Sequence, residues 1–219
     1  MITFSGIDCS GKSTQIDIIK KHLEEQGKKV EVIWSRGGYT PWVEGFKTLI
    51  RPDKHYTEEQ KKAYRDSVSQ SGFKSKLLLF ASIWDLARYY GIVFRWKDRG
   101  NRVVVCDRYI WDTLIDFKVK FPGIDFEKWV SWKIMLKLIY QPTHSFIFTI
   151  PAEESMRRSD LKDDPHPEPY ELRIYRINCY MEQIEKGRWD HVIDATVPID
   201  AVSEQVKEQL NADEKSNRL

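Results

Sequence analysis

Residues 1–14 read MITFSGIDCSGKST, an apolar run that leads through a glycine-rich turn into a segment with helical character. The stretch from Gly6 to Ser13 matches the pattern Gly-x-x-x-x-Gly-Lys-Ser without a mismatch. A strand is predicted before it, at residues 2–6, and a helix after it, at residues 12–26. In this context such a pattern wraps backbone N–H groups around phosphate, so the stretch predicts a P-loop that binds ATP together with Mg²⁺.

Each position of the loop has an expected role. Lys12 is expected to reach the β- and γ-phosphates and Ser13 to ligate Mg²⁺. The other loop residues are expected to line the nucleotide: Gly6, Asp8, Cys9, Ser10, Gly11 and Thr14. A carboxylate inside a phosphate cradle is unfavourable unless it has another partner. We therefore expect Asp8 to face a second substrate or a basic side chain; the alternative is that it caps the turn.

Short apolar runs alternate with longer helical stretches along the whole chain. Strands are predicted at 2–6, 30–34, 103–106, 144–150 and 192–194, and helices at 12–26, 57–68, 72–98, 111–139 (interrupted by Pro122-Gly123), 152–158 and 199–210. Strands joined by helical crossovers form parallel sheets covered on both faces. The pattern predicts a three-layer, doubly wound α/β fold of the P-loop NTPase type. We expect one domain over 1–210, with a mobile lid at about 157–170, and a polar tail at 211–219.

Composition narrows the functional classes. The 219 residues carry a net charge of +2, and 41% are hydrophobic, as in a globular protein. No block of lysine and arginine stands out, so no duplex nucleic-acid surface is predicted. Three cysteines lie far apart without a Cys-x-x-Cys pair, which favours a reducing compartment and argues against a zinc site. With no charged leader and no long apolar run, we expect a cytoplasmic protein and no membrane association.

Charged residues follow the predicted strands, at the edge where parallel sheets bind ligands. Asp107 is expected near the Mg²⁺, its alternative role being a helix N-cap, and Arg108 is expected to clamp the transferring phosphoryl group. Arg36 is followed by two glycines that leave room for an anion beside its guanidinium. The alternative for Arg36 is an ordinary surface position.

A basic cluster lies between residues 157 and 176, and is interrupted by a segment with three prolines in five residues. Its members are Arg157, Arg158, Lys162, Arg173 and Arg176. Three closely spaced prolines cannot continue a helix, so the cluster is interpreted as a lid that closes over the triphosphate. The alternative is a surface loop with solvated charges.

Residues 73–90 are rich in aromatic and apolar side chains at helical spacing, which is typical of a core or an interface. Trp84 and Arg88 are four apart and therefore share a face. If that face lines the cleft, Trp84 stacks on a base and Arg88 pairs with it. Asp112 and Asp116 are also four apart; they either bind acceptor hydroxyls or amines, or face solvent.

Taken together, these residues resemble the thymidylate kinase family, over about residues 1–210. The resemblance lies in five stretches in order: the P-loop with Asp8, Arg36-Gly37-Gly38, Leu78-Leu79-Phe80-Ala81, Val105-Cys106-Asp107-Arg108-Tyr109, and Val192-Ile193-Asp194-Ala195 with Pro198-Ile199. It implies that Asp8 contacts the acceptor sugar and that Arg36 and Arg108 hold the acceptor phosphate. It also implies that Arg158 serves the ATP side and that Ala195 and Thr196 contact adenine, with homodimers formed through helices such as 72–98.

The chain departs from the family on the side that contacts the base. Trp84 stands where the family has an arginine, Asp116-Phe117 replaces the pair after Asp-Arg-Tyr, and Arg36 lacks the following Glu-Pro. The expected reaction is transfer of the γ-phosphoryl group of ATP to a nucleoside monophosphate, either dTMP or a related nucleotide, with Lys12, Arg108 and Arg158 as catalytic residues. The alternatives are a kinase of a nucleoside or other small acceptor, and a non-catalytic ATP-binding switch that kept the P-loop.

Overall fold

The structure, a computed structural model, describes residues 1–35, 72–162 and 167–216. The chain groups into two compact units. The P-loop unit comprises residues 1–35, 97–115 and 141–219, and the helical unit comprises 36–96 and 116–140. The predicted helix at 57–68 lies outside the described residues, and the single domain over 1–210 stays a prediction.

Five parallel strands form the sheet of the P-loop unit. They are β1 (Ile2–Gly6), β2 (Lys29–Trp34), β3 (Arg102–Asp107), β4 (His144–Thr149) and β5 (His191–Asp194), in the spatial order β2-β3-β1-β4-β5. Every residue of β1 is buried, as expected for the central strand of a sheet covered on both faces. The predicted doubly wound parallel α/β fold is confirmed, and the strand bounds agree with the sequence to within about one residue.

The described helices are α1 (Lys12–Glu25), α2 (Gly72–Arg88), α3 (Phe94–Lys97), α4 (Ile110–Lys120), α5 (Val130–Leu138), α6 (Ala152–Leu161), α7 (Tyr170–Glu185) and α8 (Ile199–Ser216). A π-helical turn, Tyr89–Val93, joins α2 to α3, and a 3₁₀ turn, Phe126–Lys128, precedes α5. The last helix continues to Ser216, beyond the predicted end at 210.

An aromatic stack forms the centre of the sheet. Phe4 on β1 stacks on Phe146 and Phe148 of β4, with ring centroids 5.5 and 5.6 Å apart, and all three side chains are buried. Large rings on neighbouring strands bury much area and restrict sliding of one strand along another. The stack therefore holds the carboxyl end of β1, where the P-loop begins, beside the end of β4.

The helical unit has its own aromatic core and an apolar surface. Phe117, Phe126 and Trp132 meet in edge-to-face contacts at 5.0–6.4 Å. On α2 an exposed apolar stripe follows helical spacing and comprises Phe73, Leu77, Phe80 and Trp84. We call it the α2 stripe.

One stretch in the described part of the chain, Gly72–Lys97, is long and apolar enough to cross a membrane by length and composition. Half of that apolar window is buried, as in the core helix of a soluble protein, so it is weak evidence for a membrane span.

Replacing Phe4 with alanine should destabilise the fold by about 3–5 kcal/mol, because it removes a fully buried ring and leaves a cavity between two others. Urea unfolding measures the change. The control is Leu161→Ala, at a side chain that is 75% exposed, which should change the free energy of unfolding by less than about 0.5 kcal/mol. Equal effects of the two substitutions would contradict the central role of the stack.

Candidate active site

A cleft of about 860 Å³ opens at the carboxyl ends of the strands in the P-loop unit. The P-loop lines it from Asp8 to Thr14, β3 contributes Asp107 and Arg108, and the segment after β5 contributes Ala195 and Thr196. The α6 helix and the residue after it add a charged wall of Glu154, Arg157, Arg158 and Lys162. The structure thus brings the sequence-predicted phosphate ligands of this unit into one cavity, whose size suits a nucleotide.

The P-loop depends on backbone conformations that few side chains allow. Gly6 has φ +139°, and a Cβ atom there would lie 2.5 Å from the Phe148 carbonyl oxygen. Gly11 has φ +88° at the N-cap of α1, and Cys9 also has a positive φ, of 61°. The Ser155 hydroxyl, on α6, donates to the Asp8 carbonyl oxygen at 2.8 Å. These constraints turn the loop tightly around the point where phosphate is expected.

Lys12 is a buried cation at the base of this loop. Its Nζ donates to the carbonyl oxygens of Gly6 at 3.0 Å and Ile7 at 2.7 Å, and to the hydroxyl of Ser10 at 3.4 Å. Burial, followed by the charge of Arg108, lowers the Lys12 pKa to about 8 against the opposing effect of nearby carboxylates. The ammonium is therefore held at the loop with a proton that is easily lost.

Asp107 ends β3 with a carboxylate that is incompletely satisfied. Its Oδ1 atom is buried and has no hydrogen-bond partner in the described part of the chain. Burial raises the pKa of this carboxyl, while Lys12 and Arg108 oppose the shift. At the start of α4, where Asp107 was the alternative N-cap, the Tyr109 N–H donates to Asp112 at 3.0 Å. An unpartnered carboxylate oxygen in a phosphate cleft fits a divalent cation.

Ser13 lines the same cleft as Asp107. Among the described residues there is no group of three or more His, Cys, Asp or Glu that could hold a metal ion. The pair of oxygen donors from Ser13 and Asp107 suits Mg²⁺, which is bound through one or two protein oxygens with water and substrate phosphates completing its shell.

Arg108 has its guanidinium between two carboxylates. Its Nη2 pairs with Asp8 Oδ1, and its Nη1 lies 3.7 Å from Asp112 Oδ1. The expectation that Asp8 faces a basic side chain agrees with this contact. The Asp8 side chain is still 48% exposed, so the pair remains accessible from the cleft.

On α6, Glu154 is an acid that sequence reasoning missed. Its carboxylate accepts from Arg157 at 2.7 and 2.8 Å and from Arg158 Nε at 2.6 Å. The hydrogen bonds from these two arginines lower the Glu154 pKa to about 2, so the carboxylate stays ionised. Arg158 also donates to the Ala195 carbonyl oxygen at 2.9 Å. The spacing of three and four residues from Glu154 to the two arginines was the available signal.

Two members of the basic cluster do not belong to the cleft lining. Arg173 on α7 is almost fully buried and donates to the hydroxyls of Ser155 and Ser159 at 2.5 and 3.1 Å. Arg176 pairs with Glu168 at 2.7 Å. Arg173 thus holds α7 against α6, and Arg176 holds α7 to Glu168 in the segment before α7, so these two members of the basic cluster are not directed into the cleft. The lid at about 157–170 stays a prediction. Residues 163–166 of the predicted lid lie outside the described residues.

The remaining predicted site residues have different outcomes. Thr196 donates from its N–H and hydroxyl to Asp194 Oδ1 at 2.9 and 2.7 Å, next to Ala195 at the cleft. Arg36 lies outside the described residues. Trp84 and Arg88 belong to the helical unit, where Trp84 contacts Phe80 edge-on at 6.3 Å and Arg88 pairs with Asp85 at 2.9 Å.

A family model described as thymidylate kinase matches residues 4–206. The chain belongs to the thymidylate kinase family. It is 29% identical over 213 residues to the thymidylate kinase of Sulfurihydrogenibium sp. (strain YO3AOP1), a match that covers 95% of each chain. It is 26% identical over 213 residues to the thymidylate kinase of Caldicellulosiruptor saccharolyticus, covering 96% of this chain and 95% of the relative.

The thymidylate kinase of Fervidobacterium nodosum is 24% identical over 217 residues, covering 96% of this chain and 98% of the relative. The predicted resemblance is confirmed, and it extends over nearly the whole chain. As a member of the thymidylate kinase family, the protein is a nucleotide kinase with ATP as a substrate.

The lowered Lys12 pKa predicts proton uptake on nucleotide binding. At pH about 8.5 much of the free protein lacks this proton, whereas triphosphate charge at the loop favours the ammonium and raises its pKa. Titration calorimetry with a non-hydrolysable ATP analogue, without divalent metal, should therefore give buffer-dependent heats at pH 8.5, and affinity should fall as pH rises through about 8. The phosphate groups titrate near pH 6 and do not contribute. Lys12→Arg, which does not titrate, should lose the uptake; buffer-independent heats in the wild type would contradict the prediction.

Proposed function

We propose that this nucleotide kinase transfers the γ-phosphoryl group of ATP to a nucleoside monophosphate, dTMP or a closely related nucleotide, giving ADP and the nucleoside diphosphate. The observation that carries the proposal is that one cleft is lined by the P-loop with its Lys12 and also by Arg108, Arg158 and Asp107. Phosphoryl transfer is catalysed mainly by positioning and by neutralising charge on the transferred group. Three cations around one phosphate cradle supply both, and these three are the proposed catalytic residues.

On the donor side, the P-loop from Gly6 to Thr14 holds the triphosphate. Lys12 exchanges its carbonyl partners for the β- and γ-phosphates, since anionic oxygens are stronger acceptors than amide carbonyls. Arg158 is braced by the Ala195 carbonyl, so its guanidinium is aimed along the wall where Ala195 and Thr196 meet adenine. Glu154 forms ion pairs with Arg157 and Arg158, and the phosphate oxygens of bound ATP compete with its carboxylate for both guanidinium groups.

On the acceptor side, Asp8 and Arg108 form an ion pair, and both residues line the cleft. Arg108 then holds the acceptor phosphate together with Arg36, and Asp8 accepts from a sugar hydroxyl. Arg88 and Trp84 are the proposed base contacts. Because Trp84 also belongs to the α2 stripe, it serves either a base or a subunit contact.

Ser13 and Asp107 are the proposed Mg²⁺ ligands. When bound there, Mg²⁺ would neutralise phosphate charge. The Asp107 Oδ1, unpartnered among the described residues, supports this assignment, because a cation offsets the burial of its charge. A cytoplasmic location and the absence of nucleic-acid and membrane partners are also part of the proposal. The three free cysteines support a reducing compartment, and the nearly balanced charge of +2 supports the absence of a duplex nucleic-acid surface.

A second candidate is an ATP-binding switch that lacks acceptor turnover. The departures at Trp84 and Asp116 from the family's base-contacting residues favour it. The third, a kinase of a nucleoside or another small acceptor, is disfavoured by Arg36, because an unphosphorylated acceptor gives a second guanidinium clamp little to hold.

We further propose that the protein is a homodimer joined through the α2 stripe, whose members Phe73, Leu77, Phe80 and Trp84 are 78, 49, 45 and 43% exposed. Phe80→Glu should convert a species of twice the 26.0 kDa chain mass into monomers, because it buries an unpaired carboxylate at the interface. Sedimentation velocity measures the mass. Leu161→Glu, in the P-loop unit, should leave the dimer intact. A wild-type monomer, or a Phe80→Glu dimer, would contradict this interface.

The reaction itself is tested by coupled ADP release across nucleoside monophosphates and nucleosides. We expect ADP release to require both a monophosphate and Mg²⁺, to stop with EDTA and to return with added Mg²⁺. Arg36→Ala should lower kcat/KM for the acceptor by at least about tenfold, with KM for ATP changed less than about threefold, because a charge-assisted clamp is lost on one side only.

Lys128→Ala, which removes a surface cation from an exposed ion pair, is the matched control and should behave as the wild type. ATP binding without turnover on any acceptor would favour the switch. Turnover on nucleosides that Arg36→Ala does not affect would favour the nucleoside kinase.

A further inference from the structure

Asp112 is a buried carboxylate beneath the start of the P-loop, and the roles assigned above do not use it. Its residue is 1% exposed, and both oxygens are occupied. Oδ2 accepts from the Ser5 hydroxyl at 2.6 Å and the Tyr109 N–H at 3.0 Å. Oδ1 accepts from the Tyr180 hydroxyl at 2.6 Å and the Gly6 N–H at 3.4 Å. Neither of the roles that the sequence suggests for Asp112, an acceptor ligand or a solvated acid, describes this position.

The four donors come from three separate parts of the P-loop unit. Ser5 and Gly6 end β1, Tyr109 leads into α4, and Tyr180 lies on α7. One carboxylate therefore joins the residue at which the P-loop begins to the residue that follows Arg108. These segments are more than 100 residues apart in the chain, so no local hydrogen bond aligns them.

Arg108 needs such support, because its backbone is strained. It has φ 75°, in the left-handed region that a side chain with a Cβ rarely adopts. A strained residue persists where its surroundings over-determine it, and strain of this kind clusters at functional sites. The Arg108 N–H is held by the Phe4 carbonyl at 2.9 Å, and the next N–H, of Tyr109, is held by Asp112.

The Arg108 guanidinium also lies against this network. Nη1 is 3.3 Å from the Gly6 carbonyl oxygen, 3.4 Å from the Tyr180 hydroxyl and 3.7 Å from Asp112 Oδ1. Asp8 pairs with the other terminal nitrogen on the exposed side. The guanidinium is thus fixed from inside by Asp112 and Tyr180 and faces the cleft with its outer edge.

We propose that Asp112 is a positioning residue for phosphoryl transfer, which with Tyr180 holds the P-loop entry and the Arg108 guanidinium in the alignment the reaction needs. The proposal rests on the proposed function. Asp112 is buried and is not part of the cleft lining, so it acts through Gly6 and Arg108.

A carboxylate is required by the chemistry of its partners. An ionised carboxylate is an acceptor only, with enough lone pairs for four donors. An asparagine at this position would turn an NH₂ group toward one pair of donors and would remove the charge beside Arg108. Small displacements of a positioned group cost rate more than affinity, because the transition state alone requires the full alignment.

Asp112→Asn should lower kcat by about 10–100-fold while changing KM for ATP less than about threefold, as expected for displacement of a catalytic group by about 1 Å. Tyr180→Phe keeps the ring and the carboxylate and removes one hydroxyl, so it should lower kcat by a smaller factor, about 3–10-fold. This milder variant carries the test if Asp112→Asn does not fold.

Asp98→Asn is the matched control. Asp98 is a nearly buried carboxylate of the same unit, but it lies at the amino end of the sheet, where it accepts from the Met1 ammonium at 2.8 Å and the Val104 N–H at 3.1 Å. The variant should lose thermal stability as Asp112→Asn does, yet keep kcat within about twofold of the wild type, since it lies away from the cleft.

Amide hydrogen exchange supplies a readout that needs no turnover. Peptides covering residues 4–11 and 106–112 should exchange faster in Asp112→Asn than in Asp98→Asn. Unchanged kcat in Asp112→Asn, or equal kcat losses in the two variants at equal loss of stability, would overturn the positioning role. Absence of acceptor-dependent turnover in the wild type would instead contradict the proposed function, and the exchange result would then decide the inference: faster exchange supports the alignment role, and unchanged exchange overturns it.

Discussion

Lys12 is an ammonium buried at the carboxyl end of β1, and the rest of the site is arranged around that cation. Burying a charge is costly unless partners surround it, and here the partners are the carbonyls of the P-loop itself. Their convergence requires the tight turn at Gly6, where a side chain would collide with β4. The loop is therefore already closed around positive charge, and in the proposed function a triphosphate replaces these weak acceptors with stronger ones.

The sheet explains why the other charges gather at the same place. β1 lies between β3 and β4, so the residues that follow β1 and β3 are neighbours at one edge. Asp107 and Arg108 reach the P-loop through this register, and the aromatic stack on Phe4 keeps β1 from sliding against β4. Two carboxylates, Asp8 and Asp112, then flank Arg108 so that a second buried cation can stand close to Lys12.

The residues proposed to contact the acceptor do not all belong to the unit that contains the proposed ATP ligands. The residues proposed to hold ATP belong to the P-loop unit, whereas the proposed base contacts, Trp84 and Arg88, belong to the helical unit. Trp84 lies on an exposed apolar stripe beside Phe80, which is the environment of a subunit contact as much as of a base. In the proposed function, the departures from the family at Trp84 and Asp116 concern which nucleotide is accepted, and the proposed phosphate ligands of the P-loop unit are retained.

Much of the architecture could be predicted from the sequence. Strand and helix positions, the P-loop and the strand-end charges depend on residues that are adjacent or periodic in the chain, and the parallel sheet follows from their alternation. Sequence reasoning grouped Arg173 and Arg176 with the arginines of the cleft wall, because a basic cluster does not reveal which cations are buried against serines and an acid. Glu154 was missed although its spacing to Arg157 and Arg158 was visible.

The sequence by itself determined that this chain has a phosphate-binding loop on an α/β sheet, since that motif and its flanking elements are contiguous. Only the tertiary structure decided that Arg108 is the partner of Asp8, that Asp107 keeps an oxygen unpartnered among the described residues, and that Asp112 joins the P-loop to the Arg108 turn. The reason is physical: the contacts of Asp8 with Arg108 and of Ser5 with Asp112 join residues 100 or more positions apart, and their geometry depends on how the strands align and on which polar atoms are buried by that alignment.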